Sequence, residues 1–221
     1  MNELSVKELF DLDKTIAKAL LENLFYPWEA LPLIRNFIFE LGVKLSSEEY
    51  DTPKDGVWIA KSAEISHDAV IEAPCIIGKD SEVRHSAFLR GAVIVGNNAV
   101  VGNSCELKNC ILFDRAQVPH FNYVGDSVLG FGAHLGAGAI TSNVKSDKSE
   151  VTVSFGKEKI ITNLKKLGAM LGDGVEVGCN SVLNPGTVIG KNSNIYPLSS
   201  VRGYVPPYSI FKSQGKVVAK G

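Results

Sequence analysis

From Trp58 onward, large apolar residues return at every sixth position: Ile59, Ile65, Ile71, Ile77, Val83, Leu89, Val95, Val101, Leu107 and Phe113. The series resumes at Tyr123, Leu129 and Leu135, and again at Leu171, Val177, Leu183, Ile189, Ile195 and Val201. Neither the helical period nor strand alternation produces this spacing. Four residues after each of these positions most hexads place a small or β-branched side chain, as at Ala63, Ala69, Cys75, Ser81, Ala87 and Ala99. Six residues are too few to bury their own apolar face, so successive turns of chain must stack. The pattern predicts an all-β solenoid over residues 57–211.

The first fifty residues obey a different rule, with apolar positions at helical intervals and little glycine. Ser5 followed three positions later by Glu8 reads as a capping box, and Leu9, Phe10, Leu12, Ile16, Ala19, Leu20 and Leu24 fall along one side. They predict a first helix from about Val6 to Phe25. Pro27 marks a turn, and "EALPLIRNFIFELG" predicts a second helix ending near Gly42, whose glycine suits a left-handed cap. Residues 1–56 are therefore expected to form a helical hairpin and linker, and residues 212–221 a C-terminal tail.

Two interruptions break the sixfold rule. Phe113 and Tyr123 are ten residues apart, so about four residues are expected to loop out around "QVPH", with His120 at the edge of the bulge. Between Asn143 and Leu167 the stretch "VKSDKSEVTVSFGKEKIITNLKK" alternates around Gly156 and Lys157, which predicts a β-hairpin flap over about 144–166. Interruptions in a solenoid gather on one face, often the binding face. This one carries Lys145, Lys148, Lys157, Lys159, Lys165 and Lys166.

Charge and composition narrow the functions. Twenty-three basic and 24 acidic residues leave a net charge of -1, which gives no reason to expect a nucleic-acid groove or an anionic membrane partner. No apolar run reaches the roughly 20 residues that span a bilayer, so a cytoplasmic protein is expected. The four cysteines, Cys75, Cys105, Cys110 and Cys179, form no C-x-x-C pair. Cys75 and Cys105 fall in the small internal register and are expected to be packing residues.

The hexad motif [LIV]-G-x-x-x-x resembles the hexapeptide-repeat proteins. That resemblance implies a left-handed parallel β-helix of triangular section with three hexads per coil, hence about six coils, roughly 30 Å tall at strand spacing. More specifically, "LRGAVIVGNNAVVGNSCELKN" and "HFNYVGDSVLGFGAHLGAGAITSN" resemble the acetyltransferase domain of bifunctional glucosamine-1-phosphate acetyltransferase/N-acetylglucosamine-1-phosphate uridyltransferase and of archaeal sugar-phosphate nucleotidyltransferases. The resemblance covers about Trp58 to Tyr208 and is most specific at "LR…ELK…HxxYxGD…GAGxxTxN".

It implies an acetyl-CoA-dependent N-acetyltransferase of UDP-N-acetylglucosamine biosynthesis, acting on an amino-sugar phosphate such as glucosamine-1-phosphate, with no metal required. His120 would be the general base. Arg90 and Lys108, 18 residues apart, would share one face of successive coils and hold the phosphate. Tyr123 would hydrogen-bond the sugar or its phosphate, Asn143 would position the amine, and the backbone N–H of Ala137 would face the thioester oxygen. His134 replaces the family's asparagine in amino-sugar recognition, while Cys179 and Pro197 replace a serine and an alanine along the coenzyme groove. The family's next lysine has no aligned counterpart, though Lys145 or Lys148 stands nearby. A homotrimer with active sites between prisms is implied.

The 57 residues before the repeat are too few for a nucleotide-binding α/β domain, so no uridyltransferase activity is expected. A γ-class carbonic anhydrase would share the solenoid. Its H-x-x-x-x-H spacing is absent from His67, His85, His120 and His134. The remaining alternative is a non-catalytic sugar-nucleotide-binding or assembly protein.

Overall fold

Each inward aliphatic residue lies directly over one from the preceding coil, and this stacking builds three parallel ladders in the computed structural model, which describes residues 1–212 and 215–220. The first face carries Val57–Ala60, Cys75–Ile77, Val93–Val95, 110–112, 127–129, Ala169–Leu171, Thr187–Ile189 and Tyr204–Val205. The second carries Glu64–Ile65, Glu82–Val83, Val100–Asn103, Gln117–His120, His134–Leu135, Glu176–Val177, Asn194–Ile195 and Ser209–Phe211. The third carries Val70–Ile71, Phe88–Leu89, 106–108, 123–125, Ile140–Thr141, Val182–Leu183 and Ser200–Val201. The result is a β-solenoid of the left-handed hexapeptide-repeat type. Eight rungs on two faces and seven on the third exceed the expected six coils.

One of the missed rungs, at Val118, follows from a shift of register, and the others are the inward positions Thr141, Val205 and Phe211, which the sixfold series left out. Leu107 is followed inward by Leu112, five residues on, and not by Phe113; Val118 and Val124 come next, and Leu129 again follows at five. The strands Glu106–Leu112 and Tyr123–Leu129 run unbroken around the corner from the third face to the first, and Leu107 lies opposite Val124, 17 residues later. No bulge forms at "QVPH". Gln117–His120 is an ordinary rung, paired with Val100–Asn103 on one side and His134 on the other. Phe113 is turned outward on the first face, fully buried, with its ring 5.0 Å from that of Phe10.

That outward face is covered by the N-terminal segment, which places Leu4, Leu9, Phe10, Trp28, Ile34 and Ile38 on Ile76, Ile94, Ile111 and Phe113. Ser5 caps the first turn as expected, its Oγ accepting from Glu8 N at 3.4 Å. The expected helix from Val6 to Phe25 is nevertheless divided into Val6–Leu9, Leu12–Lys14 and Lys18–Leu21. Two carbonyls that a continuous helix would use are bound to corners of the solenoid: Leu9 O accepts from Asp173 N and Lys14 O from Asp114 N, both at 3.0 Å. The second helix, Ile34–Gly42, ends where expected. Gly42 is not a left-handed cap there; a Cβ on it would lie 2.4 Å from the Trp58 ring, so glycine lets the helix rest on that indole.

The hairpin forms as expected, Val151–Phe155 against Glu158–Leu164 around Gly156 at φ +59. Its location differs. Val151 and Val153 are buried on the first face and Phe155 packs 5.1 Å from Tyr204, so it covers the first face and leaves the third uncovered. In the expected tail, Val217–Ala219 returns antiparallel to Ser209–Phe211, while residues 213, 214 and 221 lie outside the described residues. No helix among the described residues is long and apolar enough to cross a membrane.

Candidate active site

The corner between the second and third faces presents His120 at the end of its rung, exposed. Ladder register places Ala137, Cys179 and Pro197 above it in the next three coils, at about 5 Å per coil. Gly136 makes this stacking tight, since a Cβ there would lie 2.7 Å from Cys179 N. The Ala137 N–H donates to no acceptor among the described residues, while its carbonyl accepts from Asn180 N at 2.8 Å.

Asn122 braces this corner from inside. Buried in the small internal register, its Oδ1 accepts from His120 N at 3.1 Å, and its Nδ2 donates to Gly136 O at 2.8 Å and Ala139 O at 3.1 Å. One amide thus ties the rung that ends in His120 to the glycine-flanked turn around Ala137. Nothing in the sequence motifs marks Asn122 as a site residue. Its one signal is a bulky polar residue where neighbouring coils have Cys105 and Ala139.

At the opposite end of the third face, Arg90, Lys108, Gly125 and Ser142 fall in one outward column. Arg90 and Lys108 therefore occupy equivalent positions of successive coils. Arg90 Nη1 lies 2.6 Å from Glu106 Oε1, and this carboxylate raises the guanidinium pKa. Lys108 Nζ lies 3.7 Å from Asp126 Oδ2. Gly125 contributes by lacking a side chain: a Cβ would stand 2.5 Å from Tyr123 Oη and 2.7 Å from Asn143 Nδ2. The two groups meet there, Asn143 Nδ2 donating to Tyr123 Oη at 3.1 Å. Burial raises the Tyr123 phenol pKa; Asn143 lowers it as a donor, and the Asp126 charge raises it further.

Asp126 is likewise unmarked as a site residue by spacing, although it closes the "YVGD" motif. It is buried, and takes the left-handed conformation (φ 48) that asparagine and aspartate tolerate best. Its two oxygens accept from Asn109 Nδ2 at 2.8 Å and Asn143 Nδ2 at 2.6 Å.

The structure thus joins Tyr123, Asn143, Asp126 and Lys108, with Arg90 one coil below Lys108, and separately aligns His120, Ala137, Cys179 and Pro197. Tyr123 stands on the strand between the two groups. His134 is set apart from the cation cluster: it lies on the second face, with Nδ1 2.8 Å from Glu176 Oε2. Lys145 stands just beyond Asn143, its Nζ donating to Ser149 Oγ at 2.5 Å. Chemically, the third face offers an exposed imidazole and a free amide N–H at one end, and two cations with a phenol and a carboxamide at the other.

Comparison with known proteins finds a family match that spans much of these same coils. Residues 71–167 match the family model described as the GMPPB C-terminal domain. The bifunctional sugar-1-phosphate nucleotidylyltransferase/acetyltransferase of Sulfurisphaera tokodaii is 35% identical over 105 residues, 48% of this chain and 26% of that protein. The bifunctional protein GlmU of Methanococcus maripaludis is 40% identical over 88 residues, 40% of this chain and 21% of that protein. The chain therefore matches about a quarter or less of the length of these curated relatives. Among solved structures, the acetyltransferase domain of PglB from Neisseria gonorrhoeae aligns at TM-score 0.39 and 17% identity, over 90% of this chain and 76% of that one. The resemblance read in the sequence, to the acetyltransferase region of sugar-1-phosphate nucleotidyltransferases, is the one these relatives display.

Proposed function

We propose that the chain is an acetyl-CoA-dependent N-acetyltransferase of an amino-sugar phosphate, glucosamine-1-phosphate being the first candidate. One observation carries this: a single face has His120 and the Ala137 N–H at one end and the Arg90 and Lys108 column at the other, with Tyr123 on the strand between them and Asn143 beside the cations. A sugar bearing a phosphate and an amine has this separation of charge and nucleophile. Two fixed cations suit the dianionic phosphate.

In the proposed reaction the neutral amine attacks the thioester carbonyl carbon, forming a C–N bond as the carbonyl π electrons move onto oxygen. The Ala137 N–H supports that oxyanion. His120 takes the proton released by nitrogen, the general-base role for which an imidazole is suited. Collapse of the tetrahedral intermediate breaks the C–S bond, and the leaving thiolate receives that proton. Pantetheine runs along the Cys179 and Pro197 column. His134, held by Glu176, is not assigned to the sugar. Three copies pack around the third faces in this proposal, supported by the exposed apolar side chains of Phe121, Ile140 and Leu198.

The test is release of free thiol from acetyl-CoA in the presence of glucosamine-1-phosphate, galactosamine-1-phosphate or UDP-linked amino sugars. Removing a general base costs roughly 100- to 10,000-fold in turnover, so His120→Ala should lose at least 100-fold while still binding coenzyme. Absence of turnover with every amino sugar would reject catalysis and leave a binding or assembly role.

A further inference from the structure

The reaction outlined above gives no part to Asp126, yet this carboxylate is the most enclosed charged group of the site, 4% exposed. A carboxylate only accepts, so the nitrogen atoms of Asn109 and Asn143, at 2.8 and 2.6 Å, must both face it. The Asn143 nitrogen carries two hydrogens. One goes to Asp126 and the other to Tyr123 Oη, which leaves Nδ2 with nothing further to donate. The Asn143 Oδ1 has no donor among the described residues, and the Tyr123 hydroxyl, having accepted, keeps its own hydrogen for another partner.

We propose that Asp126 is a positioning residue that sets the hydrogen-bond polarity of the third face, making Asn143 present an acceptor and Tyr123 a donor to the bound ligand. The ligand class this selects carries an N–H donor beside Asn143 and an anionic or hydroxyl oxygen beside Tyr123. The inference rests on the proposed acyl transfer for its consequence: an amine held through N–H to Asn143 Oδ1 keeps its lone pair free for attack.

The substitution Asp126→Asn tests it because an amide has one acceptor oxygen where the carboxylate has two. The introduced amide cannot accept from both Asn109 and Asn143, so one of them must flip. If Asn143 flips, its nitrogen turns outward and Tyr123 donates inward, inverting both groups. A second variant, Asn109→Asp combined with Asp126→Asn, restores the pattern. The carboxylate now at position 109 accepts from the amide nitrogen at position 126, and the amide oxygen at position 126 again accepts from Asn143. Both exchanged positions have φ 48, which aspartate and asparagine share.

Side-chain amide exchange is read by NMR on 15N-labelled protein, with Asn143 assigned by its loss in Asn143→Ser, alongside thiol release and thermal unfolding. The expected result for Asp126→Asn is Asn143 exchange at least ~10-fold faster and turnover down about 100-fold, the scale of losing one preorganised polar contact. The double variant should regain both within about fivefold. Unchanged Asn143 protection in folded Asp126→Asn overturns the proposal. So does a double variant that recovers thermal stability without recovering Asn143 protection, which would mark Asp126 as merely structural. If Asp126→Asn does not fold, the double variant decides alone. If the unaltered chain acetylates no amino sugar, acyl transfer fails as the function, and the exchange rates still settle the polarity.

Discussion

Asn143 and Tyr123 lie twenty residues apart in sequence, yet the amide of one donates to the phenol of the other at 3.1 Å across a gap left by Gly125. The glycine does not serve a left-handed turn, since its φ is not positive. It is there for space. A methyl group would stand 2.5 Å from the phenol oxygen and 2.7 Å from the amide nitrogen, so one of them must leave. Gly125→Ala is expected to preserve the circular-dichroism spectrum while reducing turnover about 10- to 100-fold, the scale of one lost polar contact at a charged site. Full activity in a folded variant would show that the Tyr123–Asn143 contact is dispensable.

Arg90 and Lys108 are held differently. Arg90 pairs with Glu106 where both side chains are substantially exposed, 42% and 37%, so the pair is screened and readily exchanged for a ligand phosphate. Lys108 is the less exposed, at 28%, beside the enclosed Asp126. Replacing either cation by alanine should raise KM for a phosphorylated amino sugar by roughly 10-fold or more, as expected for losing a charge-assisted hydrogen bond. KM for the same sugar without phosphate should barely move. Equal effects on both substrates would remove these residues from phosphate recognition.

Phe113 bears on stability and not on chemistry. It is fully buried on the outside of the first face, against Phe10, and so links the N-terminal segment to the solenoid. Phe113→Ala should destabilise by about 3–5 kcal/mol, the usual cost of emptying a buried aromatic site. Urea unfolding followed by circular dichroism measures it. A change below about 1 kcal/mol would mean that the segment contributes little to the stability of the prism.

Phe113 also shows where the sequence stops being legible. The period of six identifies a stacked fold because every inward position selects the same kind of side chain, and the columns bearing Arg90 with Lys108 follow from it by counting. The count fails where two coils are one residue short, because "ILF" offers aliphatic residues at two adjacent positions and an aromatic at the third. A side chain that is large and apolar reads as core whether it faces the lumen or an outer layer. The helical segment misleads for a related reason. Periodicity predicts one long helix, but hydrogen bonds from Asp114 and Asp173, a hundred or more residues away, compete for its carbonyls. Asn122 and Asp126 stay hidden because their roles lie in hydrogen bonds with neighbouring coils, and spacing along one chain does not display that.

The cysteines supply a check on the coenzyme column. Cys75 and Cys110 are fully buried, and Cys105 donates from within the lumen to Val118 O at 3.0 Å. Burial pushes the Cys75 thiol up to about 12 and raises Cys105 and Cys110 as well. A raised pKa keeps a thiol protonated at pH 8, and the thiolate is the form that reacts with a disulfide reagent. Cys179 alone among the four is exposed, two coils above His120. Titration of the native protein at pH 8 should therefore release one equivalent rapidly, and the unfolded protein all four. If pantetheine lies along this column, saturating acetyl-CoA should slow the rapid phase about 10-fold or more by covering the sulfur. A single fast thiol that coenzyme fails to protect would place the coenzyme on another part of the prism.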